Sequence, residues 1–130
     1  MNTSNKPALL STLWIFVLFN MIFRDIHQFA NPGYLEEAMV GVTPELLLMA
    51  GIVLEVQIAM VLLPRILPYR YNRWTNIIVS IVFIGIMSSF GVTDLDDIWF
   101  LTIEILALLA IIWMAWRWQE PSNHPIANPA

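Results

Sequence analysis

The chain of 130 residues contains no cysteine. That excludes disulfides, thiolate metal sites, thiol redox chemistry and c-type haem attachment. It has two histidines, and His124 lies in a proline-rich tail. A haem held between two helical histidines is therefore not expected, and no metal or other cofactor is expected either. Charge is also scarce: 12% of the residues are Asp, Glu, Lys or Arg, where a soluble domain has about a quarter. Ten acids stand against six bases, a formal net charge of −4, which gives no reason to propose a nucleic-acid partner.

Apolar residues are what the chain has in quantity, at 58%. With so little charge, that share points to an integral membrane protein with lipids as its neighbours. The length allows one domain. At the N-terminus a single Lys precedes an apolar run to Phe23, and no small-x-small pattern follows it. This reads as a retained first spanning helix rather than a cleaved signal.

The longest apolar run is LLLMAGIVLEVQIAMVLL, Leu46 to Leu63, interrupted only by Glu55 and Gln57. A hydrocarbon core of about 30 Å needs about 20 helical residues, so the run reads as a span with a carboxyl near its middle. It continues into PRILPYRYNR, which holds three of the six basic residues and reads as a basic turn on one side of the bilayer. Thr43-Pro44-Glu45 supplies a cap, a first-turn proline and a first-turn acid for this helix.

The whole pattern predicts an all-α, integral membrane four-helix bundle over residues 1–119, with helices at about 8–30, 45–63, 74–92 and 98–117. Residues 120–130 are expected to be a disordered cytoplasmic tail. Asn31-Pro32-Gly33 stops the first helix, and Tyr34, Leu35, Ala38, Met39 and Val42 follow at helical spacing opposite Glu36 and Glu37. That spacing predicts a short amphipathic interfacial helix between helices 1 and 2. Lys6, Arg65, Arg70, Arg73 and Arg117 fall on one side of a four-span arrangement, and only Arg24 on the other. The positive-inside rule then puts both termini in the cytoplasm. Trp14, Trp74, Trp113, Trp116 and Trp118 are expected near the inner interface and Trp99 near the outer one.

Polar groups within the spans are expensive and usually face the interior. The candidates are Asn20, Arg24, Asp25 and His27 on the first helix, Glu55 and Gln57 on the second, and Glu104 on the last. Asn20, Arg24 and His27 follow i, i+4, i+7 spacing and share a stripe. Leu48, Gly51, Glu55 and Leu62 share another. If these stripes meet, Arg24 can bond Glu55 or Glu104, and one arginine is too few for all the carboxyls nearby. The cluster then either binds a ligand or proton, or only fixes which helices pack together. Asp94, Asp96 and Asp97 read as the cap and first turn of the last helix. His27 reads as an interfacial polar residue rather than a metal ligand.

LSTLWIFVLFN, LEVQIAMVLLPRILPYRYNRWTNI and IEILALLAIIWMAWRW resemble an uncharacterised family of small bacterial membrane proteins, broadly similar to the DoxX-like group. The resemblance covers about Leu10 to Trp118. It implies a bacterial cytoplasmic membrane location and recurring polar positions at Asn20, Asp25, Glu55, Arg65, Arg73, Asn76 and Glu104. It implies no activity. No nucleophile–base or metal pattern stands out, so the reading is a non-enzymatic ligand-binding or accessory subunit, alone as a homodimer or within a larger membrane complex. The alternatives are a proton-coupled small transporter using a midplane Glu, and a membrane enzyme acting on a lipid or quinone.

Overall fold

The computed structural model describes residues 5–92 and 94–120. The expected tail, apart from residue 120, lies outside the described residues. Within them the chain is all-α, with five helices: α1 (Lys6–Gln28), α2 (Tyr34–Ala38), α3 (Pro44–Ile66), α4 (Tyr69–Ser89) and α5 (Leu95–Trp116). Three of these, α1, α3 and α5, are long and apolar enough to cross a membrane. By that measure α4 falls short, because its first two turns carry Arg70, Asn72, Arg73 and Asn76.

Local chemistry sets the ends. Pro7 sits in the first turn of α1, where its missing N–H costs nothing. After α1, Gly33 takes φ of 81°, a left-handed conformation that glycine adopts without a Cβ clash. Thr43 caps α3 as its sequence predicts, its Oγ1 accepting from the Leu46 N–H at 3.2 Å. Asp96 and Asp97 occupy the first turn of α5, where acids oppose the positive helix end. The five-residue α2 buries no side chain, and Leu35 and Met39 stay exposed beside it.

The sharpest difference from the sequence expectation is at residues 64–73. The basic turn shrinks to Leu67 and Pro68, since α3 runs on through Pro64 to Ile66 and α4 starts at Tyr69, not near residue 74. Pro64 removes one helix donor, but its own carbonyl is satisfied by the Asn72 side chain, Nδ2 to O at 2.6 Å. Pro68 then precedes α4 with φ of −65° and ends the turn. Arg65 therefore belongs to the last turn of α3, while Arg70 and Arg73 lie on α4.

In space α1 packs between α3 and α5, α5 packs on α4, and α3 meets α4 less extensively. One end of the assembly carries the acids of the α1–α2 region and the start of α5. The other carries the α3–α4 turn with Arg65, Arg70 and Arg73. The core runs through Leu10, Trp14, Val17, Met60, Phe83, Leu108 and Ile111. Trp14 is fully buried among the helices, with its ring edge-on to Phe83 at 6.1 Å. Trp118 is also buried, while Trp74, Trp99, Trp113 and Trp116 are exposed. On α3, by contrast, only Gln57, Met60 and Pro64 are buried, and Leu46 to Met49 are all exposed.

Candidate functional site

At the acidic end, Arg24 holds α1 against α5. Its Nε donates to Asp97 Oδ1, and its Nη1 donates to Glu104 Oε2 at 3.3 Å. Asp97 and Glu104 are seven residues apart on α5, two turns, so both face the same neighbour. The Glu104 side chain is fully buried and that of Asp97 nearly so; the Arg24 side chain is 13% exposed. Such charge-assisted bonds in a desolvated setting are the strong kind. The second carboxyl oxygen of Glu104 is buried with no hydrogen-bond partner among the described residues. Toward the helix ends the contacts continue at the surface. His27 Nδ1 lies 2.7 Å from Asp96 Oδ2. Asn31 Nδ2 donates to Gln28 Oε1 at 3.1 Å and to Asp94 Oδ2 at 2.9 Å.

The sequence expectation placed Asp97 in the cap and first turn of the last helix and did not pair it with Arg24. It is a principal partner of Arg24. The available signal was the Asp97/Glu104 spacing on a helix facing an arginine of another span. Asp25, expected in the cluster, is exposed and makes none of these hydrogen bonds, but its charge lies near enough to interact with those of Arg24, Asp97 and Glu104. Asn20 turns back on its own helix, donating to the Phe16 carbonyl at 2.9 Å. With Phe16, Phe19, Phe23, His27 and Phe100 it edges a shallow open groove that is almost wholly apolar.

A second polar network, near the basic end, was not anticipated as a unit. Trp14 Nε1 donates to Asn76 Oδ1 at 2.8 Å. Asn76 Nδ2 donates to the Asn72 carbonyl and side-chain oxygens, both at 2.7 Å. Ser11 Oγ donates to the Val61 carbonyl at 2.6 Å and accepts from Arg65 Nε at 3.1 Å. Tyr69 Oη donates to the Trp118 carbonyl at 2.6 Å, and Arg73 Nη2 to the Trp116 carbonyl at 3.0 Å. Asn72, Asn76 and Ser80 stand one turn apart on the buried side of α4, all fully buried. This network ties α1, α3, α4 and the end of α5 to one another, with Ser80 Oγ and Arg73 Nε left buried without a partner among the described residues.

The two polar residues of α3 part company. Gln57 is fully buried, and neither amide atom has a partner among the described residues. Glu55 is exposed and joins neither Arg24 nor Glu104. This corrects the expectation that Glu55 faces the interior, where Arg24 could bond it. The cause is rotational. The buried residues Gln57, Met60 and Pro64 lie about 140° to 180° around the axis from Glu55, at about 100° per residue. The stripe of Leu48, Gly51, Glu55 and Leu62 therefore faces away from the other helices, and Leu48 and Leu62 are exposed with it.

Among the described residues no three His, Asp or Glu side chains come together in a way that could hold a metal ion. The model of a family of unknown function, DUF6326, matches residues 2–124. No curated protein and no solved structure matches the chain.

Proposed function

The chain belongs to that family of unknown function, and from its own geometry we propose a non-enzymatic membrane subunit whose task is to associate with other membrane-spanning helices. The observation that carries this reading is the outward-facing Glu55, eleven residues from either end of α3. At about 1.5 Å per residue it sits about 16 Å from each end, in the middle of a hydrocarbon core of about 30 Å. A glutamate side chain cannot reach an interface from there. Hydrocarbon offers it no partner, and polar groups at that depth find partners on neighbouring helices. The ligand-pocket alternative has less support. Arg24, the one Lys or Arg at the acidic end, is already engaged by two carboxylates, and the groove beside it is apolar.

In this reading all four long helices span the bilayer. The polar side of α4 is covered by its neighbours, which makes that helix compatible with lipid on its other face. Arg65, Arg70, Arg73 and Arg117 crowd one end, which supports both termini in the cytoplasm of a bacterial cell. Contact with lipid accounts for the exposed apolar side chains along α1 and α5, and for those of α3 that lie away from the Glu55 stripe.

One observation favours a second reading, a proton-coupled transporter: Glu104 is fully buried with one oxygen unpartnered. Glu104, not Glu55, would then carry the proton, and Glu104→Gln would abolish substrate-driven acidification of proteoliposomes.

The primary reading is tested by native mass spectrometry from mild detergent and from nanodiscs. The wild-type chain is expected in a particle larger than one protomer. Glu55→Leu is expected to release the protomer with helix content and Tm intact. A wild-type protomer alone in both media would refute the reading.

A further inference from the structure

The outward face of α3 is organised for a particular kind of neighbour. Leu48, Glu55 and Leu62 are spaced seven residues apart, and a heptad drifts only about 20° around a straight helix. Between them Ile52, Ile58 and the exposed Gly51 complete an apolar strip two residues wide. Nothing lies within 4 Å of where a Cβ on Gly51 would sit, one turn from Glu55. A glycine there lets a second backbone approach closely. The pattern is that of a coiled-coil seam with one polar residue at a core position, the device that fixes register and the number of strands.

We infer that this seam binds a second copy of the chain, α3 against α3 in parallel, with Glu55 meeting the partner's Glu55. The inference rests on the association reading above. Two copies in one membrane with the same orientation are related by a twofold axis along the bilayer normal, so each residue near the axis meets its own counterpart at the same depth. No basic side chain of the chain is placed to meet Glu55 instead. Arg24 is bound to α5, Arg65 donates to Ser11, and the other arginines are at the basic end. A carboxylic acid needs no cation, because it is both donor and acceptor. Two of them close a pair of O–H···O bonds when both carry a proton, and one such bond when they share a single proton. The midpoint position on α3 makes the seam symmetric in length on either side of that contact.

The lack of native cysteine allows a clean test by thiol cross-linking in isolated membranes. Single variants Leu48→Cys and Leu62→Cys are expected to give a dimer band on oxidation. Leu54→Cys, about 100° around α3 from Glu55, and Ile81→Cys on α4 are expected to give none; both positions are exposed. Adding Glu55→Leu to Leu48→Cys is expected to abolish the band, and Glu55→Gln, which keeps a donor and an acceptor, to retain it. Native mass spectrometry of each variant checks that it is intact. Equal cross-linking at positions 48 and 54 would overturn the seam. So would a band that survives Glu55→Leu. Absence of any dimer band while the wild-type particle still exceeds one protomer would overturn self-pairing and leave the association reading standing, with a different protein as partner.

Discussion

Arg24→Met tests whether the acidic-end cluster is the clasp between α1 and α5. The substitution keeps a long unbranched side chain but removes every donor. Asp97 and Glu104 then lose their shared cation, at side-chain exposures of 5% and 0%. Breaking a buried ion pair by removing one partner costs about 3–5 kcal/mol, mostly because a desolvated charge is left behind. For a chain of this size that corresponds to a fall in Tm of roughly 12–20 °C, at about 4 °C per kcal/mol. Arg24→Lys is expected to lose less, about 1–2 kcal/mol, because one ammonium keeps the charge but not the two edges that reach different carboxylates. The decisive variant combines Arg24→Met with Asp97→Asn and Glu104→Leu. Removing the whole cluster removes the uncompensated charges too, so stability should return to within about 1 kcal/mol of wild type. The assay is thermal or denaturant unfolding in one fixed detergent, followed by circular dichroism. A single-variant loss below about 1 kcal/mol, or a triple variant no better than Arg24→Met, would refute the clasp.

Three further substitutions probe the other polar contacts by the same assay. Trp14→Phe removes the donor to Asn76 and leaves its Oδ1 buried and unpaired, for an expected loss of about 1–3 kcal/mol; an unchanged Tm would mean that bond carries nothing. Gln57→Met replaces a buried amide lacking partners among the described residues and should be neutral or stabilising by about 1 kcal/mol. A clear loss would reveal that the amide is bonded in the membrane. Asp96→Asn breaks the His27 pair, whose side chains are 57% and 33% exposed, and should change stability by less than about 0.5 kcal/mol. A larger loss would place that pair within the clasp.

Position along each helix was readable from the sequence, and direction around it was not. Helix ends were announced by local signals: Pro7, the Asn31-Pro32-Gly33 stop with its left-handed glycine, and the Thr43 cap. From such ends, helical rise puts Glu55 at mid-helix and Glu104 about two and a half turns into α5. The α3–α4 boundary misled because Pro64 normally argues for a helix end. The Asn72 side chain that takes its carbonyl comes from eight residues further on, and only the folded turn brings the two together. The burial of Trp14 was hidden for a similar reason, since its N–H finds the Asn76 oxygen of another helix.

Rotation of α3 was the hardest quantity to read, because the usual compass is missing. An amphipathic helix announces its buried side by apolar contrast, but α3 is apolar nearly all round. Its two polar residues inside the span, Glu55 and Gln57, lie about 160° apart around the axis, so both cannot face the same neighbour. The rule that polar residues in a span face inward is silent on which one does. A count of partners would have decided better. Arg24 stands alone among acids at its end of the assembly, and Asp97 and Glu104 already take its Nε and Nη1. Glu55 had no cation left to meet inside the chain. A carboxyl can be turned inward only where a donor awaits it, since burying one without a donor costs more than it returns. The neutral Gln57 carries the smaller desolvation penalty, and it is the one turned inward with its amide unpaired. By the same argument Glu55 should find its donor outside the protomer, at its own depth in the membrane.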